Sequence, residues 1–143
     1  MQERDPETNA AVVGGGGWGR AHIRRVLSQF DNTEFVAVCE PSPEAYAEAV
    51  KLFEEHDQAV PPNEPALDRM LDKDGDRIDV ALITTPHVLH CRQAKACLEA
   101  GVDVLVEKPM ATTAAEAQEM QDEAQRTGTT LAVGMFWHFR NIQ

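Results

Sequence analysis

The sequence predicts an α/β domain: a doubly wound, mostly parallel sheet with helices on both faces, three layers in all. Three observations predict it. Short apolar runs alternate with stretches of helical spacing, a run of glycines joins the first apolar run to the first helix, and 143 residues are the length of one domain. Strands that alternate with helices are joined by right-handed crossovers, which lay the strands parallel and place the helices over the sheet. With 43% hydrophobic residues, a chain of this length buries roughly two thirds of its unfolded surface and builds an ordinary core.

Each element has its own local signal. Residues 1–9 are polar and acidic and are expected to be a tail, with the domain over 10–143. Residues 10–13 (Ala-Ala-Val-Val) form a first strand that ends in Gly14, and Ile23, Val26, Leu27 and Phe30 mark the apolar stripe of a helix over 18–30. Residues 35–39 form a second strand. Ser42 is placed to cap the next helix, over 43–56, with Pro43 at its first position. Prolines at 61 and 62 permit only a short extended piece, and Leu67, Met70 and Leu71 offer one small helical face. A third strand over 78–84 precedes a helix over 87–100 with Cys91, Ala94 and Leu98 inward and Gly101 just past its end. A strand over 102–106 follows. Thr113 and Glu116 make a capping box for a helix through Ala117, Met120 and Ala124 that closes near Gly128. A last strand is expected over 130–136, followed by an aromatic cluster.

Composition excludes several classes of partner. The chain has 13 Lys+Arg against 24 Asp+Glu, a net charge of -11, so it lacks the clustered cations that a nucleic acid or an anionic membrane requires. Three cysteines without a CxxC pair argue for a reducing compartment, and the polar start argues against a signal peptide; a cytoplasmic protein is expected. No apolar run reaches the roughly 18 residues of a membrane span. Association with further copies of the chain stays open.

The glycine run carries the first functional signal. Residues 14–19 satisfy G-x-G-x-x-G between a strand and a helix. Gly14 makes the tight turn, Gly16 lets backbone approach a pyrophosphate, and Gly19 allows close helix packing, with Gly17 and Trp18 beside them. The free N–H groups of the helix attract the anion, which is how an acidic chain binds a dinucleotide. Glu40 stands 21 residues after Gly19, at the end of the second strand, where a carboxylate accepts the hydroxyls of the adenosine ribose. A 2′-phosphate about 4 Å from that carboxylate would cost on the order of 4 kcal/mol at an effective dielectric near 20. The next residues, Pro41, Ser42 and Pro43, supply no Arg to offset it, so NAD is expected in preference to NADP. This is a Rossmann-type arrangement.

Residues 84–87 (Thr-Thr-Pro-His) and 106–109 (Val-Glu-Lys-Pro) close two later strands, at the sheet edge where ligands bind in such folds. Together, residues 14–22, 37–41, Thr85, Pro86, His87, His90, 98–101 and Glu107-Lys108-Pro109 resemble the N-terminal half of the Gfo/Idh/MocA family, the glucose-fructose oxidoreductase and inositol 2-dehydrogenase group. The resemblance runs in order from about residue 10 to 140. It implies that Gly14, Gly16 and Gly19 hold the cofactor, that Trp18 approaches its nicotinamide end, and that Thr85, Pro86 and His87 line its middle. It further implies that Glu107 and Lys108 meet the nicotinamide ribose and the substrate, Lys108 with a role in proton handling, and that the peptide before Pro109 is cis. The family usually has Asp where Glu40 stands and Asn where His87 stands. A lysine whose charge is disfavoured by burial and by the cationic nicotinamide can accept the proton that a secondary alcohol loses on oxidation.

Other constellations are weaker. His87 and His90 with Cys91 lack a second ligand pair, and in residues 72–76 Gly75 comes too early for a calcium loop while Ile83 stands where its bidentate Glu belongs; no metal site is expected. His22 reads as helix packing or a neighbour of the phosphates. His138 and Arg140 fall where the family chain crosses toward a second domain. That substrate domain is not within these residues, so the expectation is a chain that binds NAD and turns over sugars or polyols poorly alone. The alternative is a non-catalytic dinucleotide-binding or interaction module; retention of Glu107-Lys108-Pro109 favours the oxidoreductase, and the same residues disfavour S-adenosylmethionine binding.

The cations divide into 9 Arg and 4 Lys. An acidic, Lys-poor chain suits a salt-rich cytoplasm, where repulsion among carboxylates is screened, or equally an acidic protein from a GC-rich genome. Salt adaptation predicts a melting temperature that rises from dilute to molar KCl. A flat or falling melting temperature selects the second reading.

Overall fold

A computed structural model of the chain describes residues 7–134. Its strands are β1 (Thr8–Val13), β2 (Thr33–Cys39), β3 (Val80–Ile83), β4 (Asp103–Glu107) and β5 (Leu131–Gly134). They form one parallel sheet in the order β2-β1-β3-β4-β5. The helices among the described residues are α1 (Gly17–Gln29), α2 (Pro43–Glu55), α3 (Leu67–Asp74), α4 (His90–Glu99) and α5 (Ala114–Thr127). None is long and apolar enough to cross a membrane.

Alternation along β1 divides the core. Ala10 and Val12 join Ile23 of α1, Phe35 of β2, and Leu52 and Phe53 of α2 on one face. Ala11 and Val13 join Met70 of α3, Leu98 of α4 and Met120 of α5 on the other. With both faces covered, the inner strands read as continuous apolar runs instead of alternating ones. Phe35 and Phe53 add an edge-to-face ring contact at 5.7 Å between centroids.

The caps form where local chemistry places them. Ser42 Oγ accepts the Ala45 N–H at 3.2 Å, with Pro43 at the first position of α2. Thr113 Oγ1 accepts the Glu116 N–H at 3.1 Å, while the Glu116 carboxylate reaches back to the N–H of Thr112 at 2.9 Å. Gly101 and Gly128 end α4 and α5 with φ of 80° and 69°, the left-handed backbone that closes helices.

Several boundaries depart from expectation. β1 begins at Thr8, because the Thr8 N–H donates to the Asn32 carbonyl at 2.8 Å and extends the ladder toward the N-terminus. Phe30 leaves the apolar stripe: α1 stops at Gln29, and Phe30 is extended and half exposed. A 3₁₀ turn over His87–Leu89 precedes α4, which starts at His90. The proline segment gives an isolated parallel bridge between Val38 and Asn63. α3 runs through Asp74 into a 3₁₀ turn over Gly75–Arg77, where Arg77 pairs with buried Asp74 at 3.4 Å. The aromatic cluster, His138 and Arg140 lie outside the described residues.

Leu98 is fully buried and Val88 is exposed. Leu98→Ala is expected to cost about 2–5 kcal/mol of unfolding free energy in urea titrations. Val88→Ala is expected to change it by less than about 0.5 kcal/mol.

Candidate functional site

β2 and β3 lie on opposite sides of β1, so the chain leaves the carboxyl ends of neighbouring strands in opposite directions and opens a crevice between them. The glycine turn sits there. Gly14 has φ +104°, and a Cβ on it would stand 3.0 Å from the backbone of Thr84 and Thr85. Its N–H donates to the Cys39 carbonyl at 2.9 Å, and its own carbonyl accepts the Thr84 hydroxyl at 2.7 Å, so one turn ties together the ends of three strands. Gly19 presses α1 onto that turn: a Cβ there would lie 2.0 Å from the Gly14 carbonyl oxygen.

The start of α1 is chemically unlike the starts of α2 and α5. Its N-cap is Gly16, with no side-chain cap and no acidic residue in the first turn. α2 and α5 carry Ser42 with Glu44 and Thr113 with Glu116 at the same places. The start of α1 thus carries no carboxylate of its own, and its dipole favours an anion there. At Gly16 and Gly17 an added Cβ would meet no atom of the described residues within 4 Å, which leaves space for a ligand against the backbone.

Glu40 lies just past β2 and is buried. Its Oε1 accepts the Gly15 N–H at 2.8 Å and its Oε2 accepts the Ser42 N–H at 2.8 Å. Each oxygen keeps a lone pair for a further donor. Asn63 holds the Glu40 backbone by two bonds of 3.0 Å, one to the N–H and one to the carbonyl.

A groove of about 820 Å³ runs along these ends, and Gly14, Gly16, Glu40, Thr85 and Pro86 all line it. The other sequence-derived residues stand apart from its walls. Gly19 is buried beneath the turn, whereas Gly17 and Trp18 are exposed on the first turn of α1. His87 is exposed on the 3₁₀ turn and does not line the groove. Glu107 and Lys108 separate: Lys108 is exposed, and the Glu107 carboxylate is buried at 3.2 Å from His22 Nε2. The expected burial of Lys108 is therefore not found among the described residues. Glu107 Oε1 has no partner among the described residues, and Gly134 leaves room for the other oxygen, since a Cβ there would stand 2.8 Å from Oε2. The Lys108–Pro109 peptide is cis.

Three more residues shape the site: His90, which the sequence names with the resemblance but gives no role, and Gln93 and Arg92, which carry no sequence signal. His90, fully buried, spans two strand-end loops: Nδ1 lies 2.8 Å from the Pro109 carbonyl oxygen and Nε2 2.8 Å from that of Thr85. Gln93 accepts the Thr85 hydroxyl. Arg92 lines the groove from α4. Among the described residues no three His, Cys, Asp or Glu side chains are grouped to hold a metal ion.

The arrangement suits a dinucleotide: uncapped amides for a pyrophosphate, and an anchored carboxylate for ribose hydroxyls. The sequence comparison agrees over the same stretch, where residues 8–135 match the family described as "Oxidoreductase family, NAD-binding Rossmann fold" (GFO_IDH_MocA). The chain belongs to the Gfo/Idh/MocA family. Among its curated relatives, the 4-carboxy-2-hydroxymuconate-6-semialdehyde dehydrogenase of Sphingobium sp. is 32% identical over 87% of this chain and 37% of its own length. The inositol 2-dehydrogenase of Salmonella paratyphi B is 31% identical over 83% of this chain and 34% of its own. A solved structure, that of the WlbA dehydrogenase of Chromobacterium violaceum with NADH and UDP-GlcNAcA, superposes with a TM-score of 0.79 at 30% identity, covering 92% of this chain and 36% of that one. The chain thus spans little more than a third of the length of these relatives and corresponds to the family's NAD-binding Rossmann domain.

Cys39 also lines the groove, and its thiol is pushed up to about 11 by burial first and then by the nearby charges of Glu40, Glu64 and Asp68. Burial pushes Cys97 up to about 12 and raises Cys91 as well. A raised thiol value leaves little thiolate at pH 8. Alkylation of Cys39 in the native chain is expected to be at least about a hundredfold slower than that of a free thiol near 8.5. All three cysteines should react once the chain is denatured.

Proposed function

We propose that this domain binds NAD in preference to NADP, as the cofactor-binding part of a dehydrogenase that oxidises a secondary alcohol of a sugar or polyol. The observation that carries the reading is the Glu40 carboxylate, buried in the groove wall beside the glycine turn and anchored by two backbone N–H groups. Its free lone pairs face donors such as the 2′ and 3′ hydroxyls of a ribose. A 2′-phosphate would meet the same carboxylate as a like charge, against which the two amides already hold it in place. The inositol and sugar-nucleotide chemistry in the names of its relatives supports the substrate class.

Gly14, Gly16 and the amides of α1 would hold the pyrophosphate, and Glu40 the adenosine ribose. Bound nicotinamide supplies a hydride acceptor. The residues at the end of β4 serve the proton. Lys108, exposed there, takes or relays the proton that the alcohol loses. Glu107, buried against His22, anchors the strand end from which Lys108 projects.

Isothermal titration of the chain with NAD, NADP and S-adenosylmethionine tests the reading. The expected order is measurable NAD binding, NADP at least about tenfold weaker from the charge contact, and no heat from S-adenosylmethionine. Absence of NAD binding overturns the proposal; equal affinity for NAD and NADP overturns its cofactor preference.

A further inference from the structure

Asn63 lies in the proline-rich connection between α2 and α3, with no sequence signal of its own, yet it controls the backbone of the groove's acidic residue. Residues 62–64 run beside the end of β2: the Val38 N–H donates to the Pro62 carbonyl at 3.0 Å, and the Glu64 N–H donates to the Val38 carbonyl at 2.8 Å. Along a strand the backbone groups of residues i and i+2 point to the same edge, so those of Glu40 face the same side as those of Val38. No main-chain group of the described residues pairs with them. The Asn63 side chain completes the ladder instead, accepting the Glu40 N–H at its Oδ1 and donating from its Nδ2 to the Glu40 carbonyl, both at 3.0 Å. Only one orientation of the amide does both, because one end of it accepts and the other donates.

The segment that carries Asn63 is itself tethered. The Tyr46 hydroxyl on α2 donates to the carbonyl of buried Pro61 at 2.8 Å. Position thus passes from α2 through Pro61 and Asn63 to the Glu40 backbone, and from there to the carboxylate between the Gly15 and Ser42 N–H groups.

We infer that Asn63 is a positioning residue for cofactor discrimination: by holding the Glu40 backbone it sets where the carboxylate stands, and so the ratio of NADH to NADPH affinity. The inference rests on the reading that this groove binds NAD. An Asn63 that served folding alone would weaken both cofactors equally, since both share the pyrophosphate and the glycine turn. One that acts through Glu40 weakens NADH, which gains from the carboxylate, and spares NADPH, which is repelled by it.

NADH and NADPH titrations by cofactor fluorescence, with melting temperatures in parallel, test this on the wild-type chain, Asn63→Ala, Asn63→Asp and Tyr46→Phe. The expected result is NADH binding weakened about tenfold in Asn63→Ala with NADPH binding changed less than about twofold, from loss of aligned charge-assisted hydrogen bonds. Asn63→Asp, which keeps the acceptor but sets an oxygen against the Glu40 carbonyl, should match it. Tyr46→Phe should move the ratio in the same direction by a smaller factor, and it decides the matter if the Asn63 variants do not fold. Failure of the wild-type chain to bind NADH overturns the reading of the groove itself. NADH binding by wild type with an unchanged ratio in the folded variants overturns the role of Asn63 alone.

Discussion

Helix α1 reaches the carboxyl ends of β1 and β3 only because Gly19 carries no side chain: a Cβ there would stand 2.0 Å from the Gly14 carbonyl oxygen. That approach sets much else. It brings the uncapped amides of α1 to the sheet edge, leaves Gly14 to take a left-handed φ of +104° against Thr84 and Thr85, and puts the Gly15 N–H where it meets Glu40. A side chain at Gly19 would push the helix out by more than an ångström. The amides, the turn and the carboxylate would then lose their common frame, and the groove would remain a crevice without a binding geometry.

The contact also resolves an electrostatic question. The chain carries a net charge of -11, so an anionic ligand is repelled by the average of the molecule and needs a local positive field to offset that. α2 and α5 use their own carboxylates at their N-termini, whereas α1 has none, and its partial positive charge is left to a ligand. Exposed pairs such as Glu48–Lys51 and Glu123–Arg126 contribute little to this balance, since solvent screens them.

What could be read from the sequence was local. The glycine turn, Ser42 at α2, the Thr113–Glu116 box and Gly101 are each decided within a few residues, and all stand where the sequence places them. Glu40 was legible because the spacing from Gly19 counts out one helix and one strand. The pairings that finish the site were not: His22 meets Glu107 across 85 positions, Asn63 meets Glu40 across 23, and His90 meets Pro109 across 19. No periodicity links such partners, because the sheet order and not the chain order brings them together. Glu107 and Lys108 diverge for a simpler reason, since neighbours at a strand end point to opposite faces. Phe30 shows the reverse failure: its spacing fits the helical stripe, but the helix has ended one residue earlier.

In the proposed complex one dinucleotide lies across the glycine turn with its ribose on Glu40. Backbone amide NMR shifts of the labelled chain, followed as NADH is added, test it most directly. Saturable shifts are expected at residues 14–19, at Glu40 and Ser42 and at Thr84 and Thr85, with β5 and α5 largely unmoved. Shifts centred elsewhere, or saturation without any change at Gly15, Gly16 and Glu40, would contradict it.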